Sequence, residues 1–165
     1  MTGGSDDLWL SPDEKEAWTG AVSLMLLLPG RLEAELQQAA GLTLFEYLVL
    51  SQLSEAPGRE IVMSELAFLA NGSLSRLSNV IKRFEGRGWV TRRPDPADGR
   101  RTLAALTEAG YEKVVDAAPT HVRSVRDHVL APLTATDQRY LASIAAKLRV
   151  RPVDVAEGDH PHEGS

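Results

Sequence analysis

The stretch Arg92-Arg93-Pro94-Asp95-Pro96-Ala97-Asp98-Gly99-Arg100-Arg101, continued by Thr102–Leu106 and then Thr107-Glu108-Ala109-Gly110, decides how the rest of the chain is read. Two β-like segments, Trp89–Arg93 and Thr102–Leu106, flank a polar loop with two prolines and Gly99, which is the pattern of a hairpin. Arginines bracket the tip, so the turn presents clustered positive charge. Thr107 is a cap for a new helix, predicted over about Glu108–Val129 and bent at Pro119.

Immediately upstream, the spacing predicts a helix over about Ser73–Arg87, stopped by Gly88. Leu74, Leu77, Val80, Ile81 and Phe84 recur at helical spacing and are expected to face a core. Ser75, Arg76, Ser78, Asn79, Lys82 and Arg83 lie mostly on the opposite side. Hydroxyls, an amide and cations suit base edges and phosphates. An ordinary amphipathic surface helix would look the same. A short helix at about Ser64–Ala70, then the tight turn Asn71-Gly72, completes a helix–turn–helix by length and punctuation.

Working outward, Ser11-Pro12-Asp13-Glu14 is a capping box with proline at the first helical position. It predicts a helix to about Gln38 that carries Trp18, Val22, Met25 and Leu26 on one face, kinks at Pro29-Gly30 and ends at Gly41. Thr43-Leu44-Phe45-Glu46 is a second capping box, opening a helix to about Leu53 that Ala56-Pro57-Gly58 closes. Ala131-Pro132-Leu133 breaks the long C-terminal helix. Thr134 and Asp137 then start a last one, about Asp137–Leu148. The expected organisation is a flexible tail over 1–10, an N-terminal helix over 11–40, a helix–turn–helix and hairpin region over 41–110, C-terminal helices over 111–150 and a flexible tail over 151–165. The fold class is mainly α with a small β-hairpin.

Composition narrows the chemistry. The 165 residues suit one domain with an extension, and 43% hydrophobic content suffices for a core. Net charge is −5, but the span Ser73–Arg101 holds eight Lys/Arg and three acids. That island is therefore +5 and the remainder −10, which places polyanion binding on one face. There is no cysteine, so disulfides, thiolate metal sites and thiol redox sensing are excluded. The N-terminus lacks the basic start of a signal peptide, and the apolar run near Ala21–Leu28 is too short to span a bilayer, so the expected address is the cytoplasm, with no membrane partner.

No catalytic constellation emerges: no Gly-rich phosphate loop and no HExxH, and nothing orients a Ser/His/Asp set. No cofactor and no enzymatic activity are expected. His121 and His128, seven apart, share a helix face; packing at a helix interface accounts for them, since metal binding needs further ligands. His160 and His162 sit in the tail and are read as solvated. Trp18, Met25 and Tyr47 are candidates for lining a small-molecule pocket, or else they are core. In the turn, Arg100 is the residue expected to enter a minor groove, where negative potential is concentrated. Asp98 shapes the turn, and Arg92, Arg93 and Arg101 reach phosphates.

With these residues in place, the chain resembles the MarR (multiple antibiotic resistance regulator) family of winged-helix transcription factors. Asp98-x-Arg100-Arg101 followed by Leu106-Thr107-x-x-Gly110 is similar to that family's wing signature. Gly41-Leu42-Thr43, Tyr47-x-x-Leu50, Ser64-Glu65-Leu66-Ala67 and Arg83-Phe84-Glu85-x-x-Gly88-Trp89-Val90 are similar to its helical elements, so that the resemblance covers about residues 12–149. It implies a homodimer joined by N- and C-terminal helices, a repressor on a palindromic double-stranded operator, with one helix in the major groove and one wing in the minor groove. Ser75, Arg76, Ser78 and Asn79 would lie toward bases, with Lys82 and Arg83 nearer phosphates and Ser73 also among the DNA-binding residues of that helix. It also implies release by a small aromatic or phenolic effector that favours a mismatched half-site spacing. Phe84 stands where the family usually has leucine, and Arg76 where a small residue is usual. Arg76 would then add a guanine contact of about 1–3 kcal/mol. The alternative is a winged helix used for protein contact without DNA.

Overall fold

The computed structural model describes residues 8–148; the tail readings, with His160 and His162, lie outside them. The elements run α1 (Pro12–Ala40), α2 (Leu44–Glu55), a 3₁₀ turn (Pro57–Arg59), β1 (Glu60–Val62), α3 (Met63–Leu69), α4 (Leu74–Gly86), β2 (Val90–Pro94), β3 (Thr102–Leu106), α5 (Glu108–Val125), a π-helical turn (Arg126–Leu130) and α6 (Ala135–Leu148). The fold is mainly α with a small antiparallel sheet of order β1-β3-β2.

The helix starts follow their local chemistry. Ser11 and Glu14 make a reciprocal capping box, as do Thr43 and Glu46. Each satisfies two backbone N–H groups that have no partner inside the helix. Ser73 caps α4 through the Arg76 N–H, and Thr107 caps α5 through the Gly110 N–H. α1 is one 29-residue helix that continues through Pro29. Its missing N–H removes one rung, which the turns on either side span.

One core joins α2, α3, α4 and the sheet to the C-terminal half of α1 and to α5. Leu36 of α1, Leu42, Val49, Leu50 and Leu53 around α2, and Leu66 of α3 are fully covered, together with Leu77, Ile81 and Phe84 of α4. Each such side chain contributes about 1.5–3 kcal/mol relative to exposure. Leu74 departs from the expected apolar face: it is 51% exposed. It stands on the first turn of α4, where α3 has already ended, and it lines a groove instead.

β1 was not expected from the pattern. Three residues are too few to show an alternation, and this strand exists only because β3 pairs with it: Glu60 opposite Ala105, Ile61 opposite Ala104 and Val62 opposite Leu103. β2 pairs along the other edge of β3, from Val90 opposite Leu106 to Pro94 opposite Thr102. The α5 start is then fixed against the hairpin. The Thr107 N–H donates to the Trp89 carbonyl at 2.9 Å, and the Thr107 hydroxyl donates to the Gly88 carbonyl at 2.7 Å.

Only the C-terminal half of α1 is packed, through Leu32 and Leu36. Trp18, Leu24, Met25, Leu26 and Leu27 are exposed within the subunit. α6 has no buried residue at all, although Tyr140, Leu141, Ile144 and Leu148 recur along it. Among the described residues, nothing covers Trp18, Met25 and Leu26 of the expected apolar face of α1.

Candidate nucleic-acid interface

α4 and the wing face each other across a groove of about 300 Å³. Leu74 and Ser78 of α4 line one side, and Arg92, Arg100, Arg101 and Thr102 line the other; Val62, Met63 and Ser64 form the rest. Two parts of the island that are more than a dozen residues apart in sequence are thereby brought together. Ser73, Ser75, Arg76, Asn79, Lys82 and Arg83 are exposed, and Ser78 is half-buried at the groove.

The wing tip holds its shape by two aspartates. The Asp98 carboxylate accepts from the Arg100 N–H at 3.1 Å and the Asp98 carbonyl from the Arg101 N–H at 2.9 Å. Asp95 accepts from the Ala97 N–H at 2.9 Å, and the Asp95 N–H donates to the Arg101 carbonyl. These side chains imitate backbone turns, so the loop needs no packing to be defined. The Arg100 side chain projects from it with no carboxylate partner among the described residues.

The eight cations of the island are not equivalent. Arg92 pairs with Glu85 at 2.6 Å, Arg93 with Glu60, Arg101 with Asp95 at 3.8 Å and Arg83 with Glu46 at 2.9 Å. Glu85 holds the Arg92 guanidinium more firmly charged than usual. Arg76, Lys82, Arg87 and Arg100 have no carboxylate partner among the described residues. Charge counting along the chain cannot separate these two groups, because Glu46 and Glu60 reach the island only through the fold.

The Arg83 pair goes deepest. Glu46 is buried, and burial pushes its carboxyl up; the Thr43 N–H, the Arg83 guanidinium and the Thr43 hydroxyl outweigh this and hold it below the ordinary range. The Leu44 N–H, at the same helix start, donates to Glu33 at 3.1 Å. Thus the Thr43, Leu44 and Glu46 N–H groups at the start of α2 find side-chain acceptors within the protein, and Arg83 ties this end to α4. The sequence shows Glu46 as a capping residue, but not its second partner 37 residues away.

The two helix-interface histidines have separate settings. The His121 ring lies 4.3 Å from the Tyr47 ring, centroid to centroid, and burial holds its pKa below the usual value. Its Nδ1 and the fully buried Ser124 Oγ have no hydrogen-bond partner among the described residues. His128 Nε2 sits 2.7 Å from Glu35 of α1, a contact that pulls the Glu35 carboxyl down. Of the three pocket candidates, Tyr47 is buried in the core, while Trp18 and Met25 are exposed on α1, so the fold does not gather them in one subunit. A separate groove of about 410 Å³ lies between Gln52, Glu55, Glu60, Glu65 and Leu103 and contains none of them. Among the described residues there is no metal-ligating cluster and no helix long and apolar enough to cross a membrane.

Comparison with known proteins gives one consistent family. A MarR family model matches residues 40–101. An HTH-type transcriptional repressor of Mycobacterium tuberculosis is 35% identical over 108 residues, 66% of this chain and 76% of the relative. A MarR family transcriptional regulator from Streptomyces coelicolor, crystallised in complex with DNA, superposes with a TM-score of 0.79 at 38% identity, over 84% of this chain and 90% of that one. AbsC, a MarR family regulator from the same organism, has a TM-score of 0.77 at 37% identity, with 84% and 93% covered.

Proposed function

The chain belongs to the MarR family of transcriptional regulators, and we propose that it is a homodimeric, sequence-specific repressor of a palindromic operator. Each subunit sets α4 in a major groove and its wing in the adjacent minor groove. The observation that carries this reading is the shared groove of α4 and the wing, with Arg100 projecting unpaired from a tip that two aspartates hold in shape. Ser73, Ser75, Arg76, Ser78 and Asn79 approach the base edges. Lys82 supplies phosphate affinity directly; Arg83, Arg92, Arg93 and Arg101 do so by exchanging a carboxylate for a phosphate. The rival, a protein-contact module, fits poorly with a basic and hydroxyl-rich exposed helix face. The DNA-bound relative also argues for nucleic acid.

The partner for the bare apolar faces is a second copy of the chain. Tyr140, Leu141 and Ile144 of α6, with Leu24, Leu26 and Leu27 of α1, are large apolar side chains left exposed in one subunit, and their number supports a protein partner for these helices. In this reading residues 11–40 and 111–150 join the dimer and 41–110 bind DNA. A small aromatic or phenolic effector would sit where α1, α2 and α5 meet. The Tyr47 and His121 rings, tilted against each other, and the buried Ser124 hydroxyl beside them would offer apolar and polar contacts there, and Trp18 and Met25 would join only from the dimer face. The protein acts in the cytoplasm, with the DNA, and the reading assigns it no catalysis and no cofactor.

The direct test is a shift and footprinting experiment with the full chain on its own upstream region, paired with sedimentation of the same protein. A protected palindrome bound by two chains is expected. Ile144→Glu, which places a charge on the α6 face, should yield monomers that bind the palindrome at least tenfold more weakly. Equal binding to unrelated DNA, or a wild-type monomer in solution, overturns the reading.

A further inference from the structure

Arg76 is the only basic residue on the first turn of α4, and it has an unusual support. Its backbone N–H donates to Ser73 Oγ at 3.2 Å, which fixes the start of the helix. Its guanidinium carbon lies 4.1 Å from the centroid of the Phe45 ring. Phe45 is itself buried, on the first turn of α2. The edge of its ring fills the space beside Gly72, where a β-carbon would lie 2.6 Å from Cζ. Core packing and Gly72 thus fix the ring from behind, and Arg76 covers it from outside. One residue further along α2, Glu46 holds Arg83, which is two helical turns from Arg76. The start of α2 therefore grips α4 at two points.

A stacked guanidinium keeps its in-plane N–H groups free, because the contact uses only its face. Arg76 also lacks a carboxylate partner among the described residues, so its fork is not already satisfied. An unsupported arginine at this place would sample many rotamers and could serve any nearby phosphate. A held, planar fork can pair with O6 and N7 of one guanine.

We propose that Phe45 is a specificity-determining residue that never touches DNA: it positions the Arg76 fork for a guanine edge, and Gly72 makes room for it to do so. This rests on the reading of α4 as the base-contacting helix, and the experiment separates the two. Full-length protein is titrated against its footprinted operator and against operators carrying each base substitution, with unrelated DNA as a baseline. Wild type should lose about tenfold at one G·C pair per half-site. Arg76→Ala and Arg76→Lys should both flatten that preference, the lysine with affinity for unrelated DNA retained. Phe45→Leu should flatten it to within about threefold while affinity for unrelated DNA stays within about twofold, and it should add nothing in the Arg76→Ala background. Phe45→Met, which keeps more of the core volume, is the second variant in case the first unfolds. If Arg76→Ala alters base preference and neither Phe45 variant does, the positioning role is wrong and the DNA reading stands. If Arg76→Ala alters no base preference, the base-reading role of Arg76 falls, and the positioning role with it.

Discussion

Gly110 packs against the main chain of Trp89 so closely that a β-carbon at Gly110 would overlap the Trp89 carbonyl oxygen. That oxygen already accepts the Thr107 N–H, so it cannot swing away without breaking the bond that starts α5. The wing base and the first turn of α5 are thereby one rigid joint. Leu106 closes it from the other side, its Cδ1 lying 2.7 Å from the same hypothetical atom.

Gly110→Ala should cost about 1–3 kcal/mol, because backbone rather than a mobile side chain must move. Denaturant unfolding measures it. Thr107→Ala should cost about 1 kcal/mol through loss of the cap and of the bond to Gly88. A Gly110→Ala protein as stable as wild type would mean that α5 can shift freely on the wing.

Arg100→Ala should weaken operator binding at least tenfold at moderate salt, about 1.4 kcal/mol or more. Fluorescence anisotropy on the footprinted operator reads it directly. The neighbouring Asp98→Ala should also weaken binding, because the Arg100 N–H loses its acceptor and the tip its shape. Unchanged affinity in Arg100→Ala would remove the wing from the interface.

Glu85→Gln should strengthen DNA binding, by about three- to tenfold at low salt, and steepen the salt dependence by about one counterion. The physical reason is that Arg92 otherwise has to leave the Glu85 carboxylate, 2.6 Å away, before it meets a phosphate. Binding isotherms at several salt concentrations test this. A weaker complex would show that Glu85 positions Arg92 rather than competing with DNA for it.

Acid should weaken the fold through His121. Burial lowers its pKa in the folded protein below the ordinary 6.5, so the unfolded chain takes up the proton first. The contribution is complete above about pH 6.5 and declines as pH falls below it. His121→Phe, which keeps a ring beside Tyr47, should flatten the stability profile on the acid side of 6.5. Chemical denaturation at closely spaced pH values should show the difference between the two curves becoming constant above about pH 6.5 and changing below it. Parallel curves would mean that folding does not shift the His121 proton equilibrium, and the burial argument would fall.

Local signals along the chain carried much of this. The reciprocal caps at Ser11 with Glu14 and at Thr43 with Glu46 are contacts across three residues, so the pattern that predicts them is the contact itself. The wing was legible for the same reason: Asp98 accepts from the N–H two residues on. The pairs Arg83–Glu46 and Arg93–Glu60 were not legible, since 37 and 33 residues separate the partners. Leu74 shows the converse error. Its spacing is that of a core residue, yet among the described residues no element covers it.

The sequence by itself determined the helix starts, the two strands of the wing, the basic island and the kinship they imply, because those depend on hydrogen bonds and periodicities within a few residues. Only the tertiary structure decided which arginines remain free for a partner, which aromatic ring holds Arg76, and that β1 is a strand. The reason is that a cation's availability and a strand's existence depend on neighbours that chain folding delivers. Glu46, Glu60 and Phe45 reach the arginines of α4 and the wing from positions far upstream, and no spacing rule announces their arrival.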